Sequence, residues 1–151
     1  MLNPRVDTST GVDGERLVLA YFDLSEEEIS ASAYAVAAVS AEPFRTATMS
    51  ADDVLAFREL TALADALGAL AARPGIQTLV LRPARLTTFR DAVAEFVDSR
   101  DEAEWMREAD RQPLARVRAL LFGLEDLCAD ALRAALAPLP PDTPAAWTTR
   151  R

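Results

Sequence analysis

Side chains that carry much of enzyme chemistry are absent or nearly absent from this 151-residue chain. Histidine and lysine do not occur, and cysteine occurs once. Histidine is the commonest general base, lysine forms Schiff bases, and histidine and cysteine are frequent zinc ligands. This shortage argues against an enzyme without excluding one. We predict no catalytic residues, no cofactor and no metal site.

The chain also lacks a long hydrophobic run and an N-terminal segment of the kind that directs secretion. Apolar residues make up 50% of the chain and charged residues 26%, as in ordinary globular proteins. A chain of about 150 residues buries roughly 68–70% of its extended surface, which is enough for a core without disulfide bonds. We therefore predict a single cytoplasmic globular domain.

Basic residues are fewer than acidic residues, 16 against 24. The formal net charge is −8, and the 16 basic residues are all arginine. Such an acidic chain repels the phosphate backbones of nucleic acids and the anionic headgroups of membranes. We therefore expect neither a nucleic acid nor a membrane as the partner.

Turn-forming and proline-rich residues are concentrated at the two ends of the chain. Residues 1–14 and 138–151 hold most of them, a composition typical of flexible segments. We interpret these segments as a flexible N-terminal tail and a Pro-rich C-terminal tail. The residues between them, 15–137, are predicted to form the single globular domain.

Within that domain, short β-branched and aromatic runs predict strands at 16–24, 44–49 and 76–81. Residues 26–41 are ambiguous. Ser25 and Glu28 form a capping box that favours a helix, whereas the alternation that follows is typical of a strand. We favour the helix.

Helical periodicity accounts for most of the remaining chain. Helices are predicted from Ser50 to residue 71, from Thr87 or Thr88 onward, near 101–111, and from Pro113 to about residue 137. Together these elements predict an α+β fold. It has a small sheet of about three strands, helices packed mainly on one face, and a long C-terminal helix.

One set of acidic residues has the spacing of a single helical face: Asp91, Glu95, Asp98 and Glu102. Carboxylates in such an arrangement can hold Mg²⁺ or Mn²⁺ for phosphate chemistry. The apolar residues Phe89 and Phe96 lie about 200° away around the helix, so the acids face outward. We interpret them as a solvated face and keep a metal-dependent phosphohydrolase as an alternative.

Arginines surround the junction between the strand at 76–81 and the following helix. An anion could bind at this helix start through Arg82, Arg85, Thr88 and Arg90. Helix N-termini present unpaired N–H groups, and arginine forks would strengthen the hold on an anion. The loop has no glycine to let the backbone approach a phosphate closely. Pairing of these arginines with nearby acids is the competing interpretation.

The last helix has apolar residues on two sides. Cys128 lies in the wide stripe of leucines, so we predict a buried and unreactive thiol. On the opposite side, small residues surround one aromatic: Ala115, Ala119, Phe122 and Ala129. Such a surface suits a second packing partner, within the fold or at a dimer interface. Alanine filler with one exposed Phe is the alternative.

A second possible contact surface lies before this helix. Residues 95–110 contain seven acids and two arginines, with Trp105 and Met106 side by side. An exposed Trp in an acidic patch could anchor a basic partner. Alternatively, Trp105 packs on its own domain.

These features favour a non-catalytic protein-interaction protein with a regulatory or accessory role. We expect a homo-oligomer, most simply a dimer, or a complex with another protein. The alternatives are a binder of a small anionic ligand at the arginine-rich helix start and a phosphohydrolase that uses helical carboxylates.

Overall fold

The central strand of the sheet is dictated by alternation in its sequence. In a computed structural model that describes residues 1–41, 50–101 and 106–138, Val18, Ala20, Phe22 and Leu24 are buried, and the residues between them are half-buried. This strand, β2 (Arg16–Leu24), pairs antiparallel with β1 (Leu2–Thr10) on one side and β3 (Gln77–Leu81) on the other. The strand order is β1-β2-β3.

The N-terminal strand corrects one prediction. Residues 1–14 were predicted to be a flexible tail, but β1 pairs with β2 from Thr10 opposite Arg16 to Leu2 opposite Asp23, with a bulge between Leu2 and Arg5. A tight turn closes the hairpin, with Gly14 at a φ of 75°. Nearly every β1 residue is exposed. The strand therefore lacks the apolar alternation by which a strand is recognised in a sequence.

Helix α1 (Glu26–Ala41) confirms the helical alternative for residues 26–41. Its start is fixed by a capping box. The Glu28 amide donates to Ser25 Oγ at 3.2 Å, and the Ser25 amide donates to Glu28 Oε2 at 2.8 Å. The Met1 ammonium also pairs with the Glu28 carboxylate. Burial opposes ionisation of Glu28, but these hydrogen bonds hold its pKa below the ordinary value.

Helix α2 (Ala51–Ala71) also begins with a capping box, between Ser50 and Asp53. Its buried residues are Leu63 and Leu67. The predicted end is confirmed, and Gly75 then turns the chain into β3 with a φ of 84°. The strand predicted at 44–49 and the Pro-rich segment from residue 139 onward lie outside the described residues.

Helix α3 (Pro83–Asp101) begins four residues before the predicted Thr87. Proline suits the first helical position, because its missing N–H has no intrahelical partner there. Helix α4 (Glu108–Leu136) contains Pro113 inside it instead of beginning there. The separate helix predicted near 101–111 is therefore wrong: its C-terminal part is the first turn of α4, and residues 102–105 lie outside the described part of the chain.

The core lies between one face of the sheet and the helices. Phe22 of β2 stacks on Phe89 of α3, with ring centroids 6.2 Å apart. Helix α4 packs on α1 and α3 and contacts β1 and β2. Gly123 of α4 leaves room for the Met1 side chain, which would overlap a Cβ at this position. The α+β fold, with its small sheet and long C-terminal helix, is confirmed. None of the described helices has the length and hydropathy needed to span a membrane.

Candidate interaction surface on helix α4

Helix α4 is held in the domain by one complete buried face. With 29 residues and a rise of about 1.5 Å per residue, it runs for roughly 44 Å. The buried face repeats at three- and four-residue spacing: Asp110, Leu114, Val117, Leu120, Leu124, Leu127, Cys128 and Ala131. The C-terminal end is tied to the sheet by Arg16, whose Nη1 donates to the Ala134 carbonyl at 3.1 Å and also to that of Ala137.

The opposite side of α4, here called the outer face, is exposed and carries apolar residues together with the charged Asp126 and Arg133. Its apolar residues are Ala115, Ala119, Phe122, Ala129 and Leu136, and Leu132 lies at its edge toward the buried face. Phe122 is 72% exposed, Leu132 59% and Leu136 74%. The four residues predicted to form an interface are thus on the surface of the chain. Whether another molecule covers them stays a prediction.

Leu132 and Leu136 were not among the predicted interface residues. Leu132 lies between the outer face and the buried face, so in the sequence it reads as part of the core stripe. A seven-residue spacing could have revealed the longer surface, because Phe122, Ala129 and Leu136 follow one another at that interval. A repeat of seven keeps residues on one side of a helix over several turns.

Cys128 belongs to the buried face, as predicted. Its side chain is close to the Leu86 carbonyl, with an Sγ–O distance of 3.7 Å. Burial raises the pKa of the thiol above the ordinary value. The thiolate, which is the nucleophile, is therefore disfavoured. This environment is that of a structural cysteine.

The arginines at the start of α3 do not converge on one point. Arg85 donates from Nε to Glu59 Oε2 of α2 at 3.1 Å. Arg82 is exposed and lies with Arg85 and Glu59 along a groove of about 520 Å³. The Glu59 carboxylate neutralises part of the positive charge with which Arg85 would attract an anion.

The other two residues of the predicted anion site face different surroundings. The Thr88 hydroxyl donates to the Ala84 carbonyl at 3.1 Å, and its side chain lines a separate groove between α2 and α3. Arg90 donates to Asp91 Oδ1 from Nε and Nη2, at 2.9 and 2.7 Å. The pairing of Arg85 with Glu59 and of Arg90 with Asp91 agrees with the competing interpretation, in which these arginines pair with nearby acids. An anion site formed by all four residues stays a prediction.

The acids of α3 point outward as predicted, since Asp91, Glu95 and Asp98 are all exposed. Glu102 lies outside the described residues. Across the described ranges, no group of three acidic or cysteine side chains is close enough to hold a metal ion.

The second predicted contact surface is only partly described. Trp105 lies outside the described residues. Met106 is half-buried and packs against the hydrophobic core. For Met106, this placement supports packing within the domain over a role as an exposed anchor.

A partly buried polar network links three helices and was not predicted from the sequence. The Tyr34 hydroxyl of α1 donates to Asp110 Oδ1 of α4 at 2.6 Å, and Arg100 Nε of α3 lies 3.7 Å from Asp110 Oδ2. The Arg100 guanidinium lies over the Phe96 ring, 4.5 Å from its centroid. Asp110 is only 6% exposed. Its spacing of four residues from Leu114 could have placed it on the buried face.

Beside this network, α1 and the N-terminal half of α4 enclose a groove of about 890 Å³. Its lining includes Glu27, Tyr34, Ala115 and Arg116. An ion pair between Arg116 and Glu27 crosses the groove. Because Arg116 and Glu27 neutralise each other, the groove favours neither an anionic nor a cationic ligand.

Comparison of the chain with protein-family models, with curated proteins and with solved structures gives no match. The functional interpretation therefore rests on the geometry of the chain itself. Within the described residues, α4 carries three large exposed apolar side chains, Phe122 and Leu136 on the outer face and Leu132 at its edge.

Proposed function

We propose that this chain is a non-catalytic interaction protein, with a regulatory or accessory role in the cytoplasm, that binds another polypeptide through the outer face of α4. The observation that carries the proposal is the exposure of Phe122 and Leu136 on one side of a helix whose opposite side is buried, with exposed Leu132 at the edge between the two sides. Single exposed apolar residues are normal on protein surfaces. Apolar residues that recur along one exposed side of a helix can pack against a partner, and Phe122, Ala129 and Leu136 recur at seven-residue spacing.

The energetics favour coverage of this face. Full burial of a Phe or Leu side chain contributes roughly 1.5–3 kcal/mol. Since Phe122, Leu132 and Leu136 are between 59% and 74% exposed, covering all three would contribute roughly 3–6 kcal/mol per chain. Association of two proteins costs about 4–15 kcal/mol in lost freedom. A partner must therefore supply apolar contacts of its own, which points to a reversible complex.

The alternatives receive less support from the described residues. Arg85 and Arg90 already contact carboxylates of Glu59 and Asp91. The acids of α3 are spread over an exposed face. Neither arrangement prepares a site for a free anion or a metal ion, whereas the outer face of α4 is accessible without any rearrangement.

Cysteine protection measures coverage of the outer face directly. Ala129→Cys places a thiol on the outer face two helical turns from Phe122, and Ala66→Cys on the exposed side of α2 is the matched control. The native Cys128 is buried and adds little background. Labelling by a maleimide is measured in dilute purified protein and in cells that express the same variant.

We expect the thiol at position 129 to react several-fold more slowly in cells than in dilute protein, while the thiol at position 66 reacts equally in both. Adding Phe122→Glu should remove the protection, because a charge would then be buried without a partner. Equal labelling of both positions in both settings would show that the outer face is free, and the proposal would fail.

A further inference from the structure

The two edges of the sheet differ in how well they resist pairing with another strand. An edge strand presents unpaired backbone N–H and C=O groups, and proteins protect such edges with charged side chains, prolines and bulges. Strand β1 has all three devices: Pro4, a bulge between Leu2 and Arg5, and the charges of Arg5 and Asp7. The edge at β1 is therefore protected against further pairing.

The opposite edge of the sheet, here called the β3 edge, has none of these devices. Residues 76–81 hold neither a charge nor a proline, and β3 pairs with β2 without a bulge. Leu79 and Leu81 are buried in the core, whereas Thr78 and Val80 lie on the exposed side of the sheet. Among the described strands β3 pairs with β2 alone. Because alternate residues of an antiparallel strand direct both backbone groups to the same side, about half of those of β3 have no strand partner.

We propose that the β3 edge binds an extended segment of another protein, which adds to the sheet as a fourth strand antiparallel to β3. This interaction goes beyond the one proposed for α4 and uses a different element. Unpaired edge groups select an extended backbone, because it offers N–H and C=O groups at the matching interval. The antiparallel direction is that of both other strand pairs and is slightly more stable per residue than the parallel one. With five residues in β3, the paired segment spans about 17 Å.

Charge at one end of the β3 edge indicates what this segment carries. Arg82 follows β3 directly, its side chain is exposed, and it forms no ion pair with another described residue. It lines the groove of about 520 Å³ at this end of β3, where Glu59 is paired with Arg85. In an antiparallel pair, the start of the bound segment lies beside Arg82. An acidic residue just before the segment would therefore meet an unpaired cation.

A carboxylate carried by the segment differs from a free anion at this place. A free anion gains one contact with Arg82, whereas the strand pairing holds an attached carboxylate there at a high effective concentration. A second copy of β3 lacks such an acid, since the nearest charge before it in the sequence is Arg73. Glu26 lies near the start of β3 but already accepts a hydrogen bond from the Gly75 amide at 3.3 Å. The partner that fits is a β-prone segment preceded by acidic residues.

Peptide binding tests the backbone pairing and its direction. Three peptides with blocked ends share a run of five alternating valines and threonines. The first has two aspartates before the run, the second has them after it, and the third is the first with an N-methylated backbone. Fluorescence anisotropy measures their binding to the wild-type chain. We expect the first peptide to bind roughly 10-fold or more tightly than the second, and the third not to bind, because N-methylation removes the backbone donors.

Hydrogen exchange of the chain shows where the first peptide binds. Alternate amides of β3 should become protected when the peptide is added, because strand pairing engages every second residue. Absence of binding by all three peptides up to millimolar concentration would overturn the proposal. Equal binding of the N-methylated peptide, or tighter binding of the second peptide, would also overturn it.

Charge reversal tests the role of Arg82. Arg82→Glu changes an exposed side chain, so the circular dichroism spectrum should be unchanged. Affinity for the first peptide should fall roughly 10-fold or more, and a peptide led by two lysines should bind in its place. Arg133→Glu, at an exposed arginine of α4, is the matched control and should leave the affinity for the first peptide unchanged. Unchanged affinity in Arg82→Glu would refute recognition of the acidic residue.

Sedimentation of the wild-type chain without peptide tests the competing occupant. Dimerisation accompanied by protection of the β3 amides would identify a second copy on this edge and overturn the proposal. All of these measurements are made on the sheet. Labelling at position 129 tests the outer face of α4 separately, so that either interaction can fail without the other.

Discussion

We expect the hydrogen bond between Tyr34 and Asp110 to stabilise the fold, because it joins α1 to the first turn of α4. Tyr34→Phe removes the hydroxyl and leaves the ring packed against Phe96, with centroids 6.0 Å apart. A hydrogen bond to a charged group contributes about 1.5–3 kcal/mol. Tyr34 is 37% exposed, so water can replace part of this interaction, and we expect the lower end, about 1.5 kcal/mol.

Urea unfolding followed by circular dichroism measures this loss. With a denaturant slope of about 2 kcal/mol per molar urea, a loss of about 1.5 kcal/mol lowers the midpoint by about 0.75 M. Tyr21→Phe is the matched control, since its ring lies under the Arg5 guanidinium and does not depend on the hydroxyl. We expect this control to change stability by less than about 0.5 kcal/mol. Equal midpoints for the two variants would show that the hydrogen bond between Tyr34 and Asp110 does not stabilise the fold.

The pH dependence gives a second readout of the same bond. The hydrogen bond to Asp110 raises the pKa of Tyr34 above the ordinary value of 10, and burial acts in the same direction. A raised pKa in the folded state means that the unfolded chain loses the phenolic proton first. The stabilisation is therefore fully present below pH 10 and is lost as the pH rises beyond it. Above pH 10, the difference in unfolding free energy between the wild type and Tyr34→Phe should shrink.

Two further outcomes are expected. Arg16→Ala should lower the free energy of unfolding by about 1–2 kcal/mol, because the guanidinium donates to carbonyls at the C-terminal end of α4. Arg133→Ala, which removes an exposed ion pair with Asp130, should lower it by less than about 0.5 kcal/mol, and urea unfolding midpoints compare the two variants. Cys128 should react with a thiol reagent roughly 100-fold more slowly in native protein than in urea, and rapid native labelling would contradict the burial of its helix face.

Hydrophobic periodicity made the interior elements predictable. Strand β2 and helix α2 were predicted because burial of one side forces a regular spacing of apolar residues, as at Phe22 and Leu24 or at Leu63 and Leu67. The capping boxes marked two helix starts for a local reason, since the side chain and the backbone that pair are only three residues apart. Strand β1 was missed because it is an edge strand held by backbone pairing, with almost no buried side chain.

The candidate sites were less predictable, because their geometry depends on residues distant in the sequence. Arg85 is directed by Glu59, which lies 26 residues earlier on another helix. Tyr34 and Asp110 are 76 residues apart, and only the packing of α1 against α4 brings them together. By contrast, the exposure of Phe122 follows from its position opposite the apolar stripe of its own helix. Local periodicity was therefore sufficient for the exposure of Phe122 and insufficient for the arginine junction.

Under the proposed function, the two faces of α4 separate folding from association within one helix. Leu124 is fully buried, and truncating such a leucine costs about 2–5 kcal/mol, a large part of the 5–15 kcal/mol by which domains are stable. A loss of binding in Leu124→Ala would therefore follow from unfolding. Phe122 lies on the opposite side and contributes little to the core of a single chain. We therefore expect its substitution to change the proposed partner surface while the domain stays folded, so that an effect on assembly at Phe122 would report on the interaction alone.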